Sequence, residues 1–319
     1  MTFEDSAANP TQPLVSAVIP TRFRPDLVCR AVRSVLTQTY PNVEVIVVVD
    51  GPDESTLHAL ESFADLRVRV ISLSDNVGGS EARNVGVRAA TGEFVALLDD
   101  DDEWMPQKLA AQVRLALTSK TEKVFVACKY IMRTGSTDMV LPSVIPTGHQ
   151  DISEYLFCTR NVFGPRLGFL QTSTWLVSRT FLLSVPFTKG LRRNQDTDWL
   201  LRALQVHPHS FLFVNDALAV FYAEPNRKRI STSMDWKDSY KWALGNRQLF
   251  SRKALSYFLI TVCCEYASRE KQLVSALFNS LKTIRESGSL GPKLMIIIAR
   301  LVMASLLRGV LGQASCLCL

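Results

Sequence analysis

The sequence lacks the cysteine and histidine patterns of a structural metal site or a disulfide framework. Its 319 residues include seven cysteines, an odd number, and these show no paired metal-ligand spacing. We therefore expect reduced thiols and a cytosolic compartment. The four histidines, His58, His149, His207 and His209, show no helical pairing that would indicate a zinc site.

The sequence also lacks several segments that would assign it to other classes. Residues 1–12 are polar and contain no apolar core of a signal peptide, so they predict a flexible tail. The net charge of +6 includes no basic run dense enough for a nucleic-acid tail, and we expect no nucleic-acid partner. Neither a Walker motif nor the dinucleotide fingerprint G-x-G-x-x-G is present. With 47% hydrophobic residues, the chain has enough apolar side chains for a large core.

The most informative segment present is an acidic run that directly follows an apolar one. Residues 94–98 are apolar, and five consecutive acids follow at 99–103. The apolar run predicts a buried strand, which places the acids at its carboxyl end, where open α/β sheets bind ligands. Adjacent carboxylates repel one another unless a cation lies among them, and a hard divalent cation prefers oxygen ligands. A solvated acidic turn remains the alternative at this point.

The first third of the chain alternates between strand and helix patterns. Strands are predicted at 15–20, 43–49, 68–73 and 94–98, with a helix between each pair. This alternation is typical of a Rossmann-like α/β fold with a mostly parallel central sheet flanked by helices. Thr21, Asp50 and the acidic run follow three of the strands, so we expect them at one sheet edge, where a nucleotide would bind.

Four blocks of the sequence resemble family 2 glycosyltransferases, in the order and spacing of that family. They are IPT at 19–21, SVLTQTYPNVEVIVVVDG at 34–51, NVGGSEARNVG at 76–86 and ATGEFVALLDDDDEW at 90–104. The resemblance implies the nucleotide-diphospho-sugar transferase fold, GT-A type.

The resemblance also implies roles for individual residues in the donor site. Thr21 and Asp50 match positions that hold the base and ribose, with Asp50 reading uracil in uridine-sugar enzymes, and Arg83 matches a donor-site position. Residues 99–101 match the Asp-x-Asp motif, which assigns Asp99 and Asp100 to the donor. The implied ligands of Mn²⁺ or Mg²⁺ are, in this order of preference, Asp99 and Asp101, and then Asp102. A solvated position is the alternative for Asp100 and Glu103.

A second acidic segment begins a predicted helix at 195–204. Acids in a first turn complement the helix dipole, which is the simplest interpretation. The segment also resembles the Glu-Asp block of the family, with Gln195 in place of the first acid. The resemblance assigns the catalytic base to Asp196, and Asp198 remains an alternative. A base held near the acceptor hydroxyl removes its proton as that oxygen attacks the sugar carbon, and the anomeric centre is inverted.

The later part of the chain has weaker patterns. Strands are predicted at 123–127, 211–214 and 217–222, with a loop over 134–150 and a basic loop at 226–233 that either closes over the diphosphate or is solvated. Residues from 236 onward predict helices. The apolar segment 294–311 contains Arg300 and Arg308, which makes a membrane span costly. We expect this helix to lie on the membrane surface or to pack on the catalytic domain.

These patterns predict a flexible tail at 1–12, a catalytic domain at 13–235 and a helical, membrane-associated region at 236–319. Within the catalytic domain, 13–118 would bind the nucleotide sugar and 119–235 the acceptor.

The function expected is that of an inverting, metal-dependent glycosyltransferase of surface polysaccharide synthesis. It would transfer one sugar from a UDP-sugar to a hydroxyl of a glycan or lipid-linked acceptor. No Gln-x-x-Arg-Trp block of processive members is present. The enzyme would work in the cytoplasm or at the inner face of the cell membrane, in peripheral contact through its C-terminal helices.

Two alternatives remain open. A nucleotidyltransferase would need a glycine-rich loop after the first strand, and residues 21–24 contain no glycine. A catalytically inactive, membrane-associated scaffold of the same fold is compatible with Gln195.

Overall fold

The computed structural model describes residues 12–135, 137–147, 150–160, 167–223 and 236–310. Most of the predicted tail and the basic loop at 226–233 lie outside these residues.

The first part of the chain forms four parallel strands with a helix after each of the first three. In chain order the elements are β1 (Val15–Thr21), α1 (Pro25–Leu36), β2 (Val43–Val49), α2 (Glu54–Leu60), β3 (Val68–Ser72), α3 (Gly79–Ala89) and β4 (Phe94–Leu97). The strands lie in the order β3-β2-β1-β4. β2 and β4 are almost entirely buried, which explains their near-continuous apolar sequences.

The second part extends the same sheet beyond β4. Its elements are β5 (Glu103–Trp104), α4 (Lys108–Ala116), β6 (Phe125–Thr134), β7 (Thr137–Leu141), α5 (Ile152–Cys158), β8 (Leu176–Ser178), α6 (Arg179–Ser184), α7 (Gln195–Val206) and β9 (Phe211–Tyr222). The order continues from β4 as β8-β6-β9-β5, with β7 paired to β6. β8 is antiparallel to β4, whereas β6 and β9 are parallel to each other. The α/β fold class with helices around one central sheet is confirmed, and the sheet is mixed in this half.

Two predictions for this half were wrong in detail. Residues 134–150 were expected to be a loop, but 137–141 form β7, a hairpin strand whose first four residues are exposed and so give no buried-strand pattern. The two strands expected at 211–214 and 217–222 form one strand, β9. Its register with β6 shifts around Lys129, and this bulge lies opposite the exposed polar residues 215–216, which interrupt the apolar pattern.

Apolar side chains pack on both faces of the sheet. One core contains residues of α1, α2 and α4, and the other contains residues of α3, α5, α6, α7 and the C-terminal helices. In the second core α3 lies unusually close to the sheet, because Gly86 faces Val18 of β1. A methyl group added at Gly86 would overlap the Val18 side chain.

The C-terminal region is helical, as predicted. It consists of α8 (Trp236–Gly245), α9 (Arg252–Phe258), α10 (Glu265–Arg269), α11 (Leu273–Ser287) and α12 (Pro292–Val310). A buried π-helical stretch, Leu259–Cys264, joins α9 to α10 and belongs to the core on the α3 side. Within the part of the chain that the structure describes, none of the helices combines the length and the apolar character that crossing a bilayer requires.

Candidate active site

The acidic run lies at the carboxyl end of β4, as predicted. It turns sharply, because the backbone N–H of Asp102 donates to the carbonyl of Asp99 at 3.1 Å. One carboxylate oxygen each from Asp99, Asp101 and Asp102 lie within 4.8 Å of one another. We call these three residues the acid trio. Three converging carboxylate oxygens form a donor set that suits Mg²⁺ or Mn²⁺.

Asp102 is the fully buried member of the acid trio. Its Oδ2 accepts hydrogen bonds from Gln171 Nε2 at 2.5 Å and Ser173 Oγ at 2.7 Å. Its Oδ1 is buried without a hydrogen-bond partner among the described residues. Burial raises the pKa of Asp102 well above its ordinary value, and the charges of Asp101 and Asp99 raise it further. A cation beside Oδ1 would relieve this cost, so the residues present fit a metal ion.

Asp100 does not belong to the acid trio, although it shares Arg24 with Asp101. Its carboxylate accepts from Thr21 Oγ1 at 2.8 Å and from Arg24 Nη1 at 2.9 Å. Burial raises the pKa of Asp100 to about 6, although the charge of Arg24 opposes the shift. Thr21 and Asp100 were predicted separately as donor-site residues. The structure brings them into direct contact and uses both to join the end of β1 to the turn after β4.

Asp50 is buried at the end of β2 and contacts the loop before α3. Oδ1 accepts from the backbone N–H of Val77 at 2.7 Å, and Oδ2 accepts from that of Gly78 at 3.0 Å. Gly78 has a positive φ of 84°, a conformation that favours glycine. The carboxylate therefore fixes the loop from which α3 begins. Each oxygen retains a second lone pair for a ligand.

Arg83 of α3 connects the two acidic segments. Its Nη2 donates to Asp99 Oδ1 at 2.6 Å, and its Nη1 donates to Gln195 Oε1 at 2.7 Å. Burial lowers the pKa of Arg83, but the neighbouring carboxylates of Asp99 and Asp196 outweigh this and raise it. Arg83 therefore stays charged. Gln195, which departs from the family pattern, is its neutral partner.

The two acids of the first turn of α7 lie in different surroundings. Asp196 is half-buried, and burial raises its pKa; the charge of Arg83 opposes this shift, whereas that of Asp99 adds to it. Asp198 is buried and accepts from Thr188 Oγ1 at 2.7 Å, Arg202 Nε at 2.8 Å and Trp242 Nε1 at 3.1 Å. Asp196 thus lies beside the charges of Arg83 and Asp99, whereas Asp198 joins α7 to α8.

Sequence reasoning gave no role to the residues that hold the acid trio in place. Ser173 Oγ accepts from the backbone N–H of Asp99 at 3.0 Å, in addition to its bond to Asp102. Gln112 supports the turn that contains Ser173, since its Nε2 donates to the Thr174 carbonyl at 2.7 Å. Lys108 is fully buried and donates to Gln112 Oε1 at 2.7 Å. The available signal was the run of four polar residues at 171–174, directly before an apolar strand.

Comparison with known proteins places the chain in a family. Residues 16–173 match the family model described as Glycosyl transferase family 2. The amylovoran biosynthesis glycosyltransferase AmsB of Erwinia amylovora is 28% identical over 254 residues, which cover 75% of this chain and 81% of AmsB.

Two solved structures share the fold. TarS 1–349 of S. aureus, crystallised with UDP-GlcNAc, superimposes with a TM-score of 0.62 at 17% identity and covers 94% of this chain and 92% of its own. The mannosyltransferase PcManGT of Pyrobaculum calidifontis, in complex with GDP-Man and Mn²⁺, gives 0.56 at 16% identity and covers 96% and 89%. With the acid trio at the expected sheet edge, the chain belongs to glycosyltransferase family 2 and has the GT-A fold.

Proposed function

We propose that the protein is an inverting, metal-dependent glycosyltransferase that moves a single sugar from a UDP-sugar to a hydroxyl of a glycan or lipid-linked acceptor. The observation that carries the proposal is the link through Arg83 between the acid trio and the start of α7, where Asp196 lies. A role in surface polysaccharide synthesis is supported by the similarity to AmsB, a protein of amylovoran biosynthesis.

The acid trio would hold Mn²⁺ or Mg²⁺, and PcManGT in complex with Mn²⁺ supports this choice. When bound, such an ion neutralises the charge that develops on a diphosphate leaving group. Asp99, Asp101 and Asp102 would orient the diphosphate through the ion. Arg24, whose Nη1 lies 3.4 Å from Asp101 Oδ2, adds a positive charge at the same edge.

Thr21 and Asp50 would bind the nucleoside, because they end the two adjacent strands β1 and β2 at this edge. Asp50 carries an acceptor on each oxygen, which suits the N–H of uracil. The UDP-GlcNAc in TarS supports a uridine donor, whereas PcManGT holds GDP-Man, so the base is a direct test of this assignment.

Asp196 would act as the general base. A carboxylate with a raised pKa is a stronger proton acceptor than an ordinary one, and burial raises the pKa of Asp196. Deprotonation of the acceptor hydroxyl by Asp196, on the side opposite the leaving diphosphate, would produce an inverted anomeric centre. The charge of Arg83 opposes this rise of the Asp196 pKa.

A panel of nucleotide sugars tested with the full chain, with and without Mn²⁺, examines the whole proposal. We expect UDP-sugars to raise the melting temperature more than GDP-sugars do, because a ligand that binds the folded state stabilises it. NMR of the product should show the anomeric configuration inverted relative to the donor. A retained configuration would remove the base role from Asp196, and absence of both transfer and donor hydrolysis would favour the scaffold alternative.

Asp101→Asn tests the metal assignment. We expect a loss of about a hundredfold to a thousandfold in kcat, because a transition-state charge loses its stabilisation. Asp216→Asn, at an exposed position on β9, is the matched control and should leave kcat unchanged. Full turnover by Asp101→Asn, or wild-type turnover in the presence of a chelator, would contradict metal dependence.

A further inference from the structure

The outer side of α11 carries an apolar stripe that does not face the core. Val274, Phe278 and Leu281 recur at intervals of four and three residues, which places them on one side of the helix. They are 84%, 72% and 38% exposed. The inner side of α11 is already satisfied, since Leu273, Ala276, Ser280 and Ile284 are buried. This second stripe is therefore not needed for packing within the chain.

The outer face of α12 has the same character. Ile296, Met303 and Leu307 are exposed, whereas Leu294 and Ile297 of the same helix are buried in the core. Leu290, in the connection between the two helices, is 48% exposed. Of the nineteen large hydrophobic side chains exposed among the described residues, eight lie within 274–307. Such a concentration marks an interaction surface rather than scattered exposure.

Positive charge is concentrated in the same helices. Between residues 271 and 310 there are six Lys or Arg residues and one acidic residue, so this segment carries five of the six net positive charges of the chain. Lys282, Arg285 and Lys293 are exposed on α11 and α12, close in sequence to the apolar stripes. A partner that fits this surface combines an apolar layer with negative charge.

We propose that α11 and α12 dock the protein on an anionic phospholipid bilayer. Phe278, Met303 and their apolar neighbours would enter the boundary between headgroups and acyl chains, and Lys282, Arg285 and Lys293 would contact lipid phosphates. Long basic side chains suit this arrangement, because their stems can lie along apolar groups while the charge stays among headgroups.

A second copy of the chain fits the same surface less well. In a two-fold symmetric dimer each partner presents the same patch, so the basic side chains of both copies would face one another across an apolar contact. Like charges at that distance oppose association. An anionic bilayer neutralises them instead. If the proposed acceptor is lipid-linked, docking would also keep the active site at the surface that carries it, a consequence that rests on the proposed function.

Vesicle co-sedimentation of the full chain tests the surface directly. Vesicles of phosphatidylcholine with about a third phosphatidylglycerol should bind the protein, and pure phosphatidylcholine vesicles should bind it much more weakly. Binding should decrease in high salt, because surface charges are screened. Lys282→Gln and Arg285→Gln should each weaken binding roughly fivefold, and Phe278→Ser about tenfold.

Matched controls use exposed residues elsewhere. Leu66→Ser replaces a fully exposed apolar side chain, and Lys120→Gln removes an exposed charge; neither should change vesicle binding. Equal binding by the α11 variants and these controls would overturn the proposal. The proposal would also be overturned if the wild type did not bind vesicles but formed concentration-dependent dimers in analytical ultracentrifugation, and if Phe278→Ser abolished those dimers. UDP binding, measured in parallel without lipid, reports on the donor site alone, so failure of the docking surface and failure of the proposed reaction are distinguishable.

Discussion

The two acidic segments of the site divide their carboxylates in the same way. In the turn after β4, Asp100 is bound by a threonine hydroxyl and an arginine, Thr21 and Arg24. In the first turn of α7, Asp198 is also bound by a threonine hydroxyl and an arginine. Each segment also places one acid beside Arg83, Asp99 in the turn after β4 and Asp196 in the first turn of α7. The comparison indicates that the surroundings of a carboxylate, and not its place in an acidic run, separate a structural acid from a candidate functional one.

The largest expected effect is that of Asp196→Asn. Asparagine keeps the size of the side chain but cannot take up the proton of the acceptor hydroxyl, so we expect kcat to fall by a factor of about 10² to 10⁴. The affinity for the nucleotide sugar, measured by calorimetry, should change little. Transfer at the wild-type rate would place the base elsewhere and remove the contrast with Asp198.

Asp198→Ala should affect folding rather than chemistry. It removes the buried partner of Arg202 and of the indole of Trp242, so we expect the free energy of unfolding to fall by about 3 kcal/mol. Urea unfolding measures this change, and kcat of the folded fraction should remain near wild type. A loss of kcat without a loss of stability would assign Asp198, not Asp196, to the reaction.

The smallest expected effect is a dependence of stability on pH in the absence of metal. The pKa of Asp100 rises from 3.8 to about 6 on folding, so the folded state binds more protons than the unfolded state between these values. The free energy of unfolding is therefore highest, as far as Asp100 contributes to it, at low pH. This contribution declines as pH rises, by about 1 kcal/mol between pH 5 and 7.

Melting temperatures measured across this range should accordingly fall by about 2 °C. Asp100→Asn should reduce the slope, because it removes the titrating group. Mn²⁺ should raise the melting temperature more at pH 7 than at pH 5, since the pKa of Asp102 is also raised and protons compete with the ion. A steeper decline in Asp100→Asn than in the wild type would contradict the raised pKa of Asp100.

Local sequence patterns were sufficient for the parallel half of the sheet. β4 is apolar throughout and β2 is apolar apart from Glu44, because both faces of these strands are buried, and the residues that end them reach one edge whatever their identity. The convergence of Thr21, Asp50 and the acid trio follows from that topology. The mixed half of the sheet was harder to predict from sequence, since β7 is exposed over most of its length and β9 contains a bulge.

The partners of the site acids could not be predicted, because they are distant in sequence. Gln171 is 69 residues from Asp102, and Trp242 is 44 residues from Asp198. No periodicity connects residues at such separations. The same limit left the choice between Asp196 and Asp198 open in the sequence, and hydrogen-bond partners now distinguish their surroundings.

The absence of a side chain at Gly86 determines how closely α3 approaches the sheet. Gly86 lies one helical turn beyond Arg83, where α3 rests against Val18. A larger residue there would push α3 away from the sheet. Because Arg83 lies on the same helix, its guanidinium would move relative to Asp99 and Gln195. The alignment of the two acidic segments through Arg83 therefore depends on a residue without a side chain at position 86.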